Sequence, residues 1–272
     1  VFFMSLPRGL PNLGATCWLN SAVQCLAHVP LLVNTLNREP YEGPCEVTKE
    51  LGLIFKSLWS SEGPGPDPSR FIRAFRTRFP RFDPGQHDAQ EALLCLVDVL
   101  ESSLGKEFIK KIFNGQEIQE TSWDGGRSEL ASDFVTVMFS SEGQNEVTLG
   151  DLMKERERPV TLEGYEDAAG RKHERAQVTT RVTRWPCVAV FTFAWYTGTK
   201  RVVVLPEVFE DRWYLFAVVL HAGGVHGGHY ATAVRFKNKW YIKDDATVYE
   251  IPEAPRKGPF YMALYRAQNS SS

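Results

Sequence analysis

Three side chains of this 272-residue chain, one near its start and two toward its end, have the types and surroundings needed for nucleophilic catalysis: the thiol of Cys17, the imidazole of His229 and the carboxylate of Asp244. Cys17 stands where the loop Gly9-Leu10-Pro11-Asn12-Leu13-Gly14-Ala15-Thr16 runs into a helical pattern. Helix starts carry unpaired N–H groups and partial positive charge, which favour a thiolate and lower the pKa of a cysteine placed there. A cysteine serving only as a small buried hydrophobe is the competing reading. Asn12, in the same loop, has an amide able to donate to an oxyanion.

His229 follows His221-Ala222-Gly223-Gly224-Val225-His226-Gly227-Gly228 and opens a strand-like run. A histidine at a strand end is held rigidly, as a general base must be. The four glycines Gly223, Gly224, Gly227 and Gly228, expected in a hairpin connection, let the backbone approach a ligand closely. Further on, Trp240-Tyr241-Ile242-Lys243 ends in Asp244 and Asp245. If these strands pair as an antiparallel hairpin about Asn238, a carboxylate just past Ile242 reaches His229 and fixes its tautomer. Taken singly, His226 reads as a surface loop residue and Asp245 as a turn former. Zinc ligation by His221, His226 and His229 is another reading, weakened by the glycine-rich spacing and the lack of a second ligand cluster. No metal or cofactor is expected.

The elements that must position these groups follow from periodicity. Leu19, Ala22, Val23 and Leu26 recur at helical spacing from Thr16 to about His28, with Pro30 marking the end. Helices are also expected over 47–59 and 70–79, the second rich in arginine, separated by the Gly/Pro-rich loop 62–68. Gln86-His87-Asp88-Ala89-Gln90-Glu91 begins a further helix whose core face is Ala92, Leu93, Leu96, Val97, Leu100 and Leu104, stopped by Gly105. The polar residues at its start are either caps that complement the helix dipole or a rim that holds an extended peptide. From 106 to about 185 helical periodicity fades and a β-rich extension is expected, with strand character in Phe134 to Phe139 and Ala176 to Val182. The last third reads as an antiparallel sheet of hairpins: Cys187 to Trp195, Val202 to Leu205, Trp213 to Leu220, Tyr230 to Phe236, Lys239 to Ile242 and Tyr261 to Tyr265.

A formal net charge of −2 with both signs dispersed gives no reason to expect a nucleic acid or an anionic membrane as partner. Five cysteines without a C-x-x-C pair argue against a disulfide framework and against a cysteine zinc site. They suit a reducing compartment, cytosol or nucleus. Val1-Phe2-Phe3-Met4 is too short for a signal h-region, and no apolar run approaches the roughly 20 residues of a membrane span. Asn269-Ser270-Ser271 matches a glycosylation sequon but is expected to belong to a disordered tail, 269–272.

With these residues placed, the sequence resembles the ubiquitin-specific protease family of papain-like cysteine proteases. Gly9 to Ser21 looks like the family's cysteine box and Gln86 to Glu91 like its second box. Leu215 to Tyr230, Trp240 to Asp245 and Tyr261 to Arg266 look like its histidine box and closing strands. The resemblance implies an α+β, papain-like fold forming one catalytic domain: a helical thumb (9–105), reduced fingers (106–185) and an antiparallel β palm (186–268). It implies Cys17 as nucleophile, His229 as general base, Asp244 as third triad member, Asp245 as an auxiliary group and Asn12 as oxyanion donor. Gln86 and Asp88 match positions that contact the extended tail of ubiquitin, and Gly223 to Gly228, with Tyr230 beside them, would clamp that tail. Many relatives carry two C-x-x-C pairs that bind zinc at the fingertips; this chain has neither, so metal-free fingers are expected. Gly14 to Cys17, Gln86 to Asp88 and His226 to Tyr230 look most like the subgroup containing the herpesvirus-associated ubiquitin-specific protease. The implied function is cleavage after the C-terminal Gly-Gly of ubiquitin or a ubiquitin-like modifier. A non-catalytic ubiquitin-binding module of the same fold is the alternative, and a transglutaminase-like acyl transferase is disfavoured by the order of the boxes.

Overall fold

The computed structural model describes residues 6–140, 143–194, 200–224 and 227–268. Six helices come first: α1 (Cys17–Leu26), α2 (Pro30–Arg38), α3 (Glu46–Leu58), α4 (Ser69–Arg78), α5 (Ala89–Leu104) and α6 (Lys106–Phe113). The strands β1 (Gly115–Trp123), β2 (Gly126–Phe134), β3 (Thr136–Ser140) and β4 (Val147–Thr148) come next, then helix α7 (Leu149–Arg156). The remaining strands are β5 (Val160–Glu166), β6 (Lys172–Arg184), β7 (Val188–Ala194), β8 (Val203–Val204), β9 (Val208–Phe209), β10 (Trp213–Gly224), β11 (Gly227–Phe236), β12 (Lys239–Asp244), β13 (Thr247–Ile251), β14 (Lys257–Gly258) and β15 (Phe260–Ala267).

An eight-stranded sheet, ordered β13-β12-β11-β10-β15-β7-β3 with β9 also on β10, separates two apolar cores. On one side pack α1 to α6, with Phe55, Phe75, Leu100 and Phe113 against Val219, Val234 and Leu264 of the sheet. On the other, Phe191, Phe193, Val218, Ile242 and Tyr265 pack with α7 and the small sheet β14-β8-β4. The expected antiparallel hairpins are present, including β11–β12 about Lys237 and Asn238, but β3 pairs with β7 in parallel.

All ten residues of α1 are buried, more than its expected amphipathic stripe requires. Two polar side chains on and just after this helix each find one backbone partner. Gln24 donates to Arg8 O at 3.0 Å, and His28 Nδ1 lies 2.7 Å from Gln24 O. Burial pushes His28 down to about 3, so its ring is neutral.

Several sequence expectations are corrected. The first helix does end before Pro30, but Pro30 also begins α2, where its missing N–H costs nothing at the first helical position. Gly105, at φ 102°, separates two helices rather than ending the helical part, and the amphipathic α6 buries Ile109, Ile112 and Phe113 against the helical core. Helix α7 lies within the stretch expected to be β-rich, capped by the Thr148 hydroxyl that accepts from Asp151 N–H. Residues 134–139 are not one strand: Phe134 ends β2 and Thr136 begins β3. The expectations for Val1 to Met4, Trp195, His226 and 269–272 lie outside the described residues.

Within residues 115–184, strands β1, β2, β5 and β6 form a separate antiparallel sheet, β2-β1-β6-β5, in which most side chains of β2 and β5 are exposed. A sheet with so little core depends on local polar ties, and Asp167 supplies one at the β5–β6 connection. It accepts from His173 Nε2 at 3.1 Å, from Arg171 Nε at 2.9 Å and from the backbone N–H groups of Ala169 and Arg171. The hydrogen bonds from His173 and from the Arg171 backbone hold its carboxyl well below the usual carboxylate range. Stabilisation from a depressed carboxyl is fully present above the unfolded value of about pH 4 and is lost as pH falls toward the folded value. Asp167→Asn should therefore lower the hydrogen-exchange protection factors of β5 and β6 at pH 7 while leaving those of α1 and α5 unchanged, and acidifying the native protein from about pH 4 toward the depressed folded value should progressively lower the same protection factors.

Candidate active site

The N-termini of α1 and α5 converge on the ends of β11 and β12. Trp18, the second residue of α1, stacks on Phe82 at 5.2 Å, and its indole N–H donates to Ala15 O at 2.7 Å and Gly85 O at 3.2 Å. One buried ring thus ties the loop before Cys17 to the loop that carries Gln86. Asp88 caps α5, its Oδ1 accepting from the N–H groups of Gln90 and Glu91, and its Oδ2 accepts from the Tyr261 hydroxyl on β15. The capping reading of Asp88 holds, and its whole carboxylate is engaged within the protein.

Cys17 is buried at the start of α1. Contrary to the lowered pKa expected at a helix start, burial pushes the thiol up, and the negative charge of Asp245 adds to this. Backbone hydrogen bonds from Tyr230, Trp18 and Cys17 itself oppose the shift without reversing it. The Tyr230 contact sets the thiol against β11, one residue from His229. His229 Nε2 and Asp244 Oδ1 are 2.5 Å apart, with both side chains roughly half exposed. The geometry comes from the β11–β12 register, in which Thr232 faces Lys243 at the last paired position and Asp244 comes next. In the tautomer whose Nε2–H donates to Asp244, Nδ1 is the ring's acceptor.

Asp245 is both turn former and hub. It stands at φ 50° in the two-residue connection between β12 and β13, a left-handed conformation that aspartate tolerates better than most residues. Its Oδ2 accepts from Asn12 Nδ2 at 2.9 Å and its Oδ1 from Asn20 Nδ2 at 2.7 Å, while its carbonyl accepts from Leu10 N–H at 2.8 Å. Gly9 is required beneath it, since a Cβ there would lie 2.3 Å from that carbonyl oxygen. Asn12 Oδ1 in turn accepts from Thr16 N–H at 2.9 Å, so the amide is held at both ends and keeps one N–H for another acceptor. Asn20, buried on α1, is the participant that sequence reasoning missed. Its position one turn beyond Cys17 on a largely apolar helix was the available signal.

The glycines are placed differently from the expected loop. Gly223 pairs with Gly228 and Gly224 with Gly227 inside the β10–β11 ladder. A Cβ at Gly223 would lie 2.5 Å from Gly227 O, and one at Gly228 would lie 2.3 Å from Ala222 O, so the two strands approach too closely for side chains. Gly228 N–H donates to Gln86 Oε1 at 2.6 Å, bringing the two expected tail-binding elements together across the site. Tyr230 is buried and packs edge-on against Tyr261 at 5.3 Å; burial raises its hydroxyl above the ordinary value. His221 lies 4.4 Å from the Tyr230 ring, and burial pushes it down to about 4.

Ligand atoms of His229, Asp244 and Asp245 fall within 4.8 Å of one another, the spacing of a cation site. Both Asp245 oxygens accept from amide groups and Asp244 is hydrogen-bonded to His229, so these contacts describe a relay.

A buried thiol at a helix start beside a histidine–aspartate pair on a sheet is the arrangement of the papain-like thiol proteases. The chain belongs to the ubiquitin carboxyl-terminal hydrolase family, whose profile matches residues 8–210 and 168–266. It is 42% identical over 112 residues to ubiquitin carboxyl-terminal hydrolase 9 of Arabidopsis thaliana, covering 36% of this chain and 12% of that protein. It is 33% identical over 163 residues to the Arabidopsis protein named putative ubiquitin carboxyl-terminal hydrolase 11, covering 52% and 18%. To ubiquitin carboxyl-terminal hydrolase 15 of Xenopus tropicalis it is 34% identical over 113 residues, covering 36% and 11%. These matches span less than a fifth of the relatives' own lengths. Its fold is similar to a chain in the SAGA Ubp8/Sgf11/Sus1/Sgf73 DUB module bound to ubiquitin aldehyde, with TM-score 0.81 and 15% identity over 96% of this chain and 69% of that one.

The raised thiol pKa has a direct consequence. Alkylation of Cys17 by iodoacetamide, followed by peptide mass spectrometry, should titrate with a midpoint above the ordinary value of 9.0. A midpoint below the ordinary value would show that the helix terminus outweighs burial.

Proposed function

We propose that this chain is the catalytic unit of a deubiquitinating thiol hydrolase that cuts after the C-terminal Gly-Gly of ubiquitin or a ubiquitin-like modifier. The observation that carries the reading is the contact of Cys17 with the Tyr230 backbone, next to a histidine whose Nε2 lies 2.5 Å from Asp244. The thiol is protonated at rest, so His229 Nδ1 must take its proton as the sulfur attacks the carbonyl carbon of the terminal glycine. The remaining Asn12 N–H, with local backbone donors, meets the oxyanion, and Asp245 keeps the amide turned to that task. His229 then delivers the proton to the leaving lysine amine. Water hydrolyses the thioester, with His229 again accepting a proton.

Glycines suit the tail channel because the modifier itself ends in Gly-Gly: a paired ladder without side chains at Gly223, Gly224, Gly227 and Gly228 leaves room only for a thin strand. Gln86 is placed to bind the tail main chain and Asp88 to orient the α5 terminus beside it. Within one catalytic domain we assign the thumb to residues 9–113, extending the expected border to include α6. We assign the fingers to the sheet β2-β1-β6-β5 and the palm to 186–268. The three quoted boxes and the absence of C-x-x-C pairs support placement near the herpesvirus-associated subgroup. A reducing location, cytosol or nucleus, agrees with five free cysteines. No helix among the described residues is long and apolar enough to cross a membrane.

Turnover of a fluorogenic ubiquitin amide tests the proposal. Cys17→Ala should abolish turnover and reaction with a ubiquitin C-terminal electrophile, and Asp244→Asn should lower kcat by about 10²-fold or more. Undiminished labelling of Cys17→Ala would overturn the assignment. Tight ubiquitin binding by the unaltered chain without hydrolysis would instead establish the non-catalytic binding module.

A further inference from the structure

Helix α4 is strongly basic, and nothing in the proposed reaction uses it. Its outer face borders an open cavity of about 730 Å³ formed with α3, α5 and the segment before α3, a size usual for small-molecule sites. Tyr41, Val47 and Val99 give it an apolar wall, and Arg73 and Arg78 bring two guanidinium groups to it. Arg70, also on the rim, is paired with Glu50 at 2.9 Å. Glu46, also lining the cavity, lies 3.8 Å from Arg70, and Arg73 and Arg78 have no carboxylate partner among the described residues, so three arginines face two glutamates and the cavity combines an apolar surface with a net positive charge. Both features call for an anion with an organic body.

The same cavity contains a second thiol. Cys45 is half-buried at the N-cap of α3, its sulfur 3.5 Å from the Thr48 hydroxyl, which lies 2.8 Å from that of Ser103. Partial burial acts to raise this thiol. Hydrogen bonds from the Thr48 and Ser103 side chains and from the Thr48 and Val47 backbone outweigh it and hold the thiol below its ordinary value. This is the reverse of Cys17, where burial prevails.

We propose that the α3–α4–α5 cavity binds small anionic disulfides and that Cys45 is its thiol–disulfide exchange site, distinct from the catalytic centre. The Cys45 thiolate attacks one sulfur of the bound disulfide, and the disulfide's own S–S bond breaks as a new S–S bond forms to Cys45. The second half leaves as a thiolate and is protonated by solvent; the bound disulfide is itself the oxidant. Arg73 and Arg78 hold the carboxylates of the incoming molecule, which makes the reaction selective for charge.

The test is intact-mass and peptide-mapping mass spectrometry of the whole chain at pH 7 with glutathione disulfide, compared with the uncharged bis(2-hydroxyethyl) disulfide. Cys45 is expected to be modified before Cys17, Cys95 and Cys187, and Cys45→Ser to lose that adduct. Arg73→Glu with Arg78→Glu should cut the rate with glutathione disulfide by about tenfold and leave the uncharged reagent unaffected. Both arginines lie on an exposed helix face, and Arg73→Ala with Arg78→Ala should give a smaller loss in the same direction. The proposal is overturned if Cys45 remains unmodified while other thiols react, or if its rate is indifferent both to reagent charge and to the arginine variants.

Discussion

The carboxylate of Asp245 is the interaction on which the assembled site depends. The proposed nucleophile, Cys17, lies near the start of the chain and the proposed base, His229, near its end, on elements of different kind. Asp245 joins the two halves through Asn12 and Asn20 on one side and the β12–β13 turn on the other, with Leu10 N–H closing the connection. A partly buried carboxylate with both oxygens accepting from amide groups is costly to move, because displacing it would leave amide donors and carboxylate oxygens without partners.

The surrounding packing supports this connection. Complete burial of α1 denies Cys17 any freedom to slide, and the stack of Trp18 on Phe82 extends that rigidity to the loop of Gln86. The bond from Tyr261 to Asp88 fastens α5 to the central sheet beside the same place. Burial has an electrostatic consequence as well. It holds the Cys17 thiol above its ordinary value, so the proposed catalysis rests on a base aligned by Asp244 and not on a thiolate formed in advance. The exposed arm built from β2, β1, β6 and β5 relies on polar ties of the Asp167 kind, in keeping with its distance in character from the packed core.

Local chemistry is legible in the sequence wherever a residue's type limits its role. A cysteine at a loop–helix junction, a histidine opening a strand and an aspartate closing the next are each visible, and the Lys237-Asn238 turn makes their pairing calculable. Gly105 is legible as a stop but not as a hinge into α6, since a C-terminal glycine signal carries no information about the element beyond it. Pro30 is ambiguous because proline both ends helices and starts them. The β1–β2 hairpin is marked by Asp124-Gly125, a two-residue turn signal hidden in a polar stretch. The strand position of the four glycines and the net direction of the Cys17 shift cannot be read from sequence, because both depend on how closely distant segments approach. Asn20 escapes for the same reason: its partner lies on the far sheet.

The most direct test of this account is a double-mutant cycle between Asn12 and Asp245, measured as kcat/KM on a fluorogenic ubiquitin amide with Asn12→Ala, Asp245→Ala and the pair. If Asp245 acts by holding Asn12 across the two halves, the double variant should be scarcely slower than the slower single variant, giving a coupling energy of about 1–3 kcal/mol. Losses that simply multiply would show that the two residues work independently and would contradict the account.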